Sequence, residues 1–337
     1  MAKVLVTGGA GYIGSHVVRQ LGEAGHVVLV VDDLSTGHAQ AVLHGELVVA
    51  DCGDEARMRS LLEGQGTEAV LHFAARTVVP DSVRDPLGYY LANTCKTRSL
   101  LTACAAAGVG AFLFSSTAAV YGHPPGGRAA EDGPTEPINP YGASKLMSER
   151  MLRDLAAAGG PRYGILRYFN VAGADPQGRI GQATPRATHL IKVACEAAVG
   201  KREAVEIYGT DYDTPDGTCI RDYIHVEDLA RAHVLALERL LQGGEPFVLN
   251  CGYGRGHSVR EVLETVQRVH GRPLRLREGP RRPGDPPVLV AEARRIREAL
   301  GWEPRHEDLE AIVASALAWE RRLQAGRPWG AAADGGG

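Results

Sequence analysis

The sequence predicts an α/β protein built on a doubly wound parallel sheet, followed by a smaller α/β part. Three observations lead there. Short apolar runs recur through the first half and are near-continuous rather than alternating, as strands covered on both faces require. Stretches with helical spacing separate them, which is the pattern of a parallel sheet. A glycine-rich turn joins the first apolar run to the first helical stretch.

In chain order, the expected strands are residues 3–7, 27–31, 47–50, 69–73, 111–114 and 163–166. Residues 12–24 carry Ile13, Val17, Val18 and Leu21 at helical spacing, and 54–63, 87–107 and 141–158 also read as helices. In the second half, 226–241 reads as a helix and 247–250 as a strand returning to the main sheet. Ser258 and Glu261 have the spacing of a capping box, opening a helix with Val259, Val262, Leu263, Val266 and Val269. A further amphipathic helix is expected at 309–323. These elements divide the chain into 1–175, a dinucleotide-binding part, 176–325, mainly a substrate part, and 326–337, a flexible Gly/Ala-rich tail.

Composition narrows the function classes. The 337 residues are 44% hydrophobic and 23% charged, which fits a globular chain and not a disordered one or a coiled coil. Thirty-seven basic against forty acidic side chains leave −3, so no electrostatic case exists for nucleic acid or an anionic membrane. Six cysteines without a CxxC pair argue for reduced thiols and against a metal centre or a disulfide framework. The N-terminal apolar run Val4-Leu5-Val6 is far too short for a signal peptide, and the aliphatic run 27–31 ends at Asp32. A cytoplasmic location is expected.

Gly8, Gly11 and Gly14 have the spacing G-x-x-G-x-x-G between the first strand and the first helix. Gly8 allows the tight turn, Gly11 lets a diphosphate approach the backbone, and Gly14 lets the helix lie on the sheet. The helix start offers free N–H groups and a positive dipole end to phosphates. Asp32, at the end of the second strand, can accept from a ribose 2′-OH and would repel a 2′-phosphate, which favours NAD over NADP. This is the fingerprint of a Rossmann domain. Small or polar residues follow the other strands too: Asp33, Asp51, Ala74-Ala75, Ser115-Ser116-Thr117 and Asn170.

Tyr141 and Lys145 form Y-x-x-x-K just after Pro140, four residues apart and so on one helical face. A phenol is a poor base near neutrality, but an adjacent ammonium and a bound nicotinamide cation favour phenolate. The pair then suits proton removal from an alcohol as hydride leaves the same carbon, with Thr117 bonding the reacting oxygen. Alone, Y-x-x-x-K also describes a surface Tyr and Lys beside a proline turn; the fingerprint and the polar strand end argue for chemistry.

Taken together these residues resemble the extended short-chain dehydrogenase/reductase superfamily, and within it the UDP-sugar 4-epimerases of galactose metabolism. The similarity covers roughly residues 3–320. It rests on VTGGAGYIGSH (6–16), SSTAAVYG (115–122), PYGASK (140–145), LRYFNVAGA (166–174), DGTCIRDYIHVEDLA (216–230) and RRPGD (281–285). The resemblance implies an isomerase that interconverts UDP-glucose and UDP-galactose with a tightly held NAD that is not consumed. By similarity Tyr141 deprotonates the sugar 4-OH, Lys145 tunes the phenol, Thr117 assists, and the 4-keto sugar turns over before reduction on its other face. Tyr12, Ile13, Asp32, Asp33, Leu34, Ser35, Thr36, Gly37, Asp51 and Cys52 fall at cofactor positions, as do Phe73, Ala74, Ala75, Thr77, Asn93 and Phe169. Asn170, His189, Tyr208, Arg221, Arg282 and Asp285 fall where the family holds the uridine diphosphate; arginine forks suit phosphate oxygens, though Asp222 and Asp285 are alternative salt-bridge partners for them. A homodimer pairing helices 87–107 and 141–158 is also implied.

The chain departs from the pattern in places. Lys96 stands where glycine is usual and is expected to crowd or repack its helix. Thr77 replaces a common lysine, and Thr117 replaces a common Ser with the hydroxyl kept. Leu289 lies between the bulky and the small residues that exclude or admit N-acetylated sugars. UDP-N-acetylhexosamine, UDP-xylose and UDP-glucuronate therefore stay open as substrates. A dehydratase is disfavoured because Ala118-Ala119 supplies no acid or base, and a non-catalytic NAD-binding regulator because Tyr141 and Lys145 are both kept.

Overall fold

The apolar runs become strands covered on both faces. The first half runs β1 (Lys3–Thr7), α1 (Tyr12–Glu23), β2 (Val27–Asp32), β3 (Glu46–Val49), α2 (Glu55–Gln65) and β4 (Ala69–His72). It continues through α3 (Val79–Arg84), α4 (Pro86–Tyr89), α5 (Lys96–Ala106), β5 (Ala111–Thr117), β6 (Arg128–Ala129), α6 (Pro140–Ala157) and β7 (Arg162–Tyr168). The second half holds β8 (Asn170–Ala172), α7 (Leu190–Ala198), β9 (Val205–Tyr208), β10 (Ile220–His225), α8 (Val226–Leu241) and β11 (Phe247–Cys251). After these come β12 (Gly256–Ser258), α9 (Val259–His270), β13 (Leu276–Gly279), β14 (Val288–Ala291), α10 (Arg294–Leu300) and α11 (Leu309–Gln324). This computed structural model describes residues 1–282, 284–326 and 329, so nearly all of the tail expected at 326–337 lies outside the described residues.

Seven strands form one sheet in the order β11-β7-β5-β4-β1-β2-β3, every pair parallel. Strand β11 pairs with β7 from Phe247 to Cys251, so the strand expected at 247–250 does return to the main sheet. The winding reverses between β1 and β4, and a doubly wound sheet opens its ligand crevice at that point, beyond the strands' carboxyl ends. Alternate side chains feed two cores. Val4 and Val6 pack with Val17, Leu21, Leu229 and Leu237 of α1 and α8. Leu5 packs on the other face with Met58, Leu62, Leu100 and Leu152 of α2, α5 and α6. Each buried leucine contributes about 1.5–3 kcal/mol, enough to set the register of every strand. Strand β10 organises the smaller part, pairing antiparallel with β12 and parallel with β14 and β8.

Two expectations need correction. The helix expected at 87–107 is broken. Asp85 caps α4 by accepting from Gly88 N at 3.0 Å, and Tyr90–Cys95 winds as a π-helical turn before α5 begins. Within that turn the Asn93 carbonyl accepts from the Thr97 and Ser148 hydroxyls at 2.5 and 3.0 Å, tying it to α5 and α6. The capping box at α9 is only half formed. The Ser258 hydroxyl accepts from Glu261 N at 3.0 Å, but the Glu261 carboxylate turns to His257 Nδ1 at 2.6 Å.

A buried polar clamp ties α1 to α8. The Glu227 carboxylate takes His16 Nδ1 at 2.5 Å, Gln20 Nε2 at 2.9 Å and the Arg19 guanidinium. Burial alone would raise its pKa, but the His16 hydrogen bond and the charges of His16 and Arg19 outweigh it and hold Glu227 at about 2. A carboxyl depressed on folding adds stability above its unfolded pKa and loses it as pH falls toward the folded value. Glu227→Gln should therefore cost about 3 kcal/mol near neutrality. In urea titrations the gap to the parent chain should close as pH falls from about 5 to about 2; a gap that stays constant would refute this source of stability.

Candidate active site

The glycine turn opens the crevice. Gly8 has φ +70, and a Cβ there would lie 2.6 Å from Ala74 N. A Cβ on Gly14 would lie 2.2 Å from the Gly8 carbonyl, so α1 seats on the turn only because that atom is missing. Gly11 caps α1 without a side-chain hydrogen bond, which leaves the first-turn N–H groups at Tyr12 and Ile13 without intrahelical partners. Next to them, the Asp32 carboxylate accepts from Ala10 N at 3.0 Å and Leu34 N at 2.9 Å. Burial raises its pKa above the ordinary carboxylate value, with the two backbone N–H groups opposing. Leu34 sits at φ 58, a left-handed conformation that leucine adopts at a cost of about 1 kcal/mol, and Asp33 closes the turn by accepting from Ser35 N and Oγ at 2.9 and 2.6 Å. Ser35 and Thr36 are exposed at its tip, while a Cβ on Gly37 would press on Ala10 and Asp32 Oδ1. Uncapped N–H groups, an open approach at Gly11 and a nearly buried carboxylate suit a dinucleotide's diphosphate and ribose.

Other expected cofactor residues are placed more variously. Phe73, Ala74 and Ala75 follow β4 beside Gly8, with the Phe73 ring 4.9 Å from that of His233. Tyr12 spends its hydroxyl on the Gly173 carbonyl at 2.7 Å. Asn93 is buried, and its amide is taken up by Arg76 N and O and by Ser144 Oγ, so it braces α6 against the loop after β4. Thr77 is exposed, and Phe169 is buried among Ala118, Val120 and Tyr121, with Leu289 against them. Burial pushes the Cys52 thiol up to about 12, leaving it a neutral packing group. Lys96 does not crowd its helix. Its stem lies over Gly53 and its ammonium bonds Asp51 Oδ2 at 2.6 Å.

The reacting groups sit on α6. Asn139 caps it by accepting from Gly142 N at 2.9 Å, and Pro140 pre-sets its first turn. Tyr141 and Lys145, 8% and 2% exposed, lie on the face turned toward β5, whose last residue is Thr117. Lys145 Nζ rests 4.5 Å from the centre of the Phe114 ring. Burial pushes the Tyr141 phenol up to about 12, against a hydrogen bond with Thr117. Burial likewise pushes the Lys145 amine down to about 7, against the attraction of Glu149. Loss of water thus dominates at both groups, favouring the neutral phenol and the neutral amine.

Beneath the pair lies a buried network that the motifs did not reveal. Glu149 accepts from Ser116 Oγ at 2.6 Å and from Arg167 Nε and Nη2 at 2.9 and 2.6 Å. Arg167 Nη1 also donates to the Tyr121 hydroxyl at 3.0 Å. The available signal was the spacing of Tyr141, Lys145 and Glu149 at four-residue steps along one helix. Ser115 and the Tyr168 hydroxyl form a second buried hydrogen bond.

The residues expected to hold the uridine diphosphate form one group and two outliers. The Arg282 guanidinium lies 3.7 Å from the centre of the Tyr208 ring. Arg221 donates to Ile220 O at 2.9 Å and stands 3.7 Å from Asp285, so Asp285 is its salt-bridge partner. Asp222 is not a partner for either arginine; it is buried and accepts from Tyr253 N and Gly254 N. His189 faces Gln182 at 3.2 Å, and burial lowers its pKa so that it stays neutral. Asn170 Nδ2 donates to Asp222 O at 3.3 Å. Among the described residues no cluster of His, Cys, Asp and Glu could hold a metal ion, and all six cysteines are free.

A doubly wound sheet with a glycine turn at its switch point, an acidic end to β2 and a buried Tyr–Lys pair on α6 defines the extended short-chain dehydrogenase/reductase class. The model of the NAD dependent epimerase/dehydratase family matches residues 4–252, and the chain belongs to that family. It is 58% identical over 336 residues to the UDP-glucose 4-epimerase of Azospirillum brasilense, covering 98% of this chain and 97% of that one. The crystal structure of UDP-glucose 4-epimerase from Brucella ovis in complex with NAD superimposes with a TM-score of 0.91 at 46% identity, covering 94% of this chain and 98% of that one. The corresponding Stenotrophomonas maltophila enzyme, with bound NAD and formylated UDP-arabinopyranose, gives 0.93 at 39% identity, covering 97% and 100%.

The Gly14 contact yields a direct check. Gly14→Ala should force α1 off the turn, lowering stability by about 1–3 kcal/mol and reducing the NAD retained per purified chain. Calorimetry and released-nucleotide assay read the two effects, and unchanged retention would show that the seat of α1 does not govern the crevice.

Proposed function

We propose that this chain is an NAD-dependent UDP-glucose 4-epimerase. The observation that carries the reading is the buried Tyr141–Lys145 pair on α6, facing the end of β5. Gly8, Gly11, Gly14 and the α1 N-terminus hold the NAD diphosphate, Asp32 the adenosine ribose, and Asp51 and Phe73 flank the crevice. When bound, NAD supplies a two-electron acceptor that takes and returns hydrogen at the sugar carbon, and a cationic ring that favours phenolate.

The chain's own residues do the rest. Tyr141 accepts the 4-OH proton and later returns it, and the Thr117 hydroxyl bonds the same oxygen. Lys145, with its pKa near neutrality, supplies a positive charge next to the phenol as that proton moves. Arg221 and Arg282 grip the diphosphate and so anchor the nucleotide while the 4-keto hexose turns over. Tyr208 backs Arg282 and Asp285 pairs with Arg221; Asn170 and His189 are assigned to the nucleotide on the resemblance alone. Half-buried Leu289 packs against the Phe169 cluster and limits the room beside the sugar.

The same reading makes the enzyme a cytoplasmic homodimer. Its support is an apolar face in which Val83, Leu87, Leu91 and Met147 are 58%, 79%, 60% and 48% exposed, on α3, α4, the π-helical turn and α6. Leu87→Glu combined with Leu91→Glu should convert a dimer to monomer in light scattering; a double variant still dimeric would place the contact elsewhere.

The activity is tested with the pure chain on UDP-galactose, UDP-N-acetylgalactosamine and UDP-xylose. UDP-galactose should be converted to UDP-glucose. Tyr141→Phe should lower kcat by about 10²–10⁴-fold with NAD still bound. Wild-type turnover in that variant would remove Tyr141 as the base, and absence of any epimerisation would remove the reading itself.

A further inference from the structure

Tyr141, Lys145 and Glu149 follow one another at four-residue steps along α6, so the three side chains line one helical face. All three are buried, and Glu149 has no exposed surface at all. Its carboxylate is held on every side, by Ser116 Oγ at 2.6 Å and by both nitrogens of the Arg167 fork, while Arg153 reaches it from the surface at 3.2 Å. These donors stand where water would otherwise solvate the carboxylate.

The groups that face Lys145 are few. From β4 comes His72, which burial pushes down to about 3 and so leaves uncharged. From β5 comes the Phe114 ring, its centre 4.5 Å from the amine nitrogen. Behind Glu149, β7 brings Arg167. Glu149 is the carboxylate one helical turn from Lys145 on the same face, and its charge opposes the loss of water that drives the amine toward neutrality.

We propose that Glu149, held by Arg167 and Ser116, is a positioning residue that keeps Lys145 a cation beside Tyr141. This rests on the reading of Tyr141 and Lys145 given above. Glu149 touches neither substrate nor cofactor; it acts through the amine.

The test is the titration of the Lys145 amine, read by NMR of the NAD-loaded chain with labelled lysine, together with the pH profile of kcat. In Glu149→Gln the amine should titrate about one to two pH units lower. The alkaline limb of kcat should move down by the same amount with KM little changed, and Glu149→Asp should restore most of both. Should Glu149→Gln fail to fold because Arg167 is stranded, Glu149→Gln with Arg167→Met removes both charges and should still shift the amine downward, by less than the single variant because the opposing cation is gone as well. A folded variant of either kind whose amine and pH limb match the parent overturns the proposal, leaving Glu149 a purely structural ion pair. Lys145→Met separates the two levels: if it keeps wild-type turnover, the reading of Lys145 fails, and if it is inactive while the Glu149 variants titrate normally, only the present inference does.

Discussion

Exclusion of water from one face of α6 is the constraint on which the site depends. Desolvation acts on Tyr141 and Lys145 in opposite directions along the pH axis, and in both cases toward the uncharged form. Burial thus drives the two pKa values apart, to about 12 for the phenol and about 7 for the amine, so charge on either group depends on a countercharge held in the same dry pocket. The arrangement needs a rigid helix start, and Asn139 and Pro140 provide it. It also needs a countercharge that does not itself compete for the substrate, and the Glu149–Arg167 pair lies deep enough to meet that requirement.

The sheet brings this face to the right place. Because β1 and β4 are neighbours and the winding reverses between them, the glycine turn after β1 and the Phe73-Ala74-Ala75 segment after β4 share one crevice. Close contact between Gly8 and Ala74 leaves no room for side chains, so backbone N–H groups line that end. The polar end of β5 and the start of α6 then supply hydroxyl, phenol and amine together. The smaller part, organised on β10, carries Arg221 at the register of Leu289, so these two residues belong to one pair of strands.

Much of this was legible in the letters because it rests on local pattern. Continuous apolar runs identified strands covered on both faces, and Ile13, Val17, Val18 and Leu21 fixed the buried stripe of α1. Glycine spacing and Y-x-x-x-K pointed to the crevice and the pair. What stayed hidden depends on partners distant in sequence. The π-helical turn is tied to a distant partner, since its Asn93 carbonyl accepts from Ser148 of α6. Lys96 finds its partner in Asp51, and Asn93 spends its amide on Arg76 and Ser144, neither of which a linear motif announces. The desolvation of the pair also stayed hidden, because residue spacing shows that a cation is near but not that water is gone.

The central claim concerns how the phenol's charge is controlled, and one titration reaches it directly. Phenolate absorbance of the parent chain minus that of Tyr141→Phe, followed against pH, isolates this single tyrosine. The account predicts a phenolate signal near neutrality in the NAD-loaded chain, and its loss to far higher pH once the dinucleotide is stripped. Superimposable curves from the two states would contradict it.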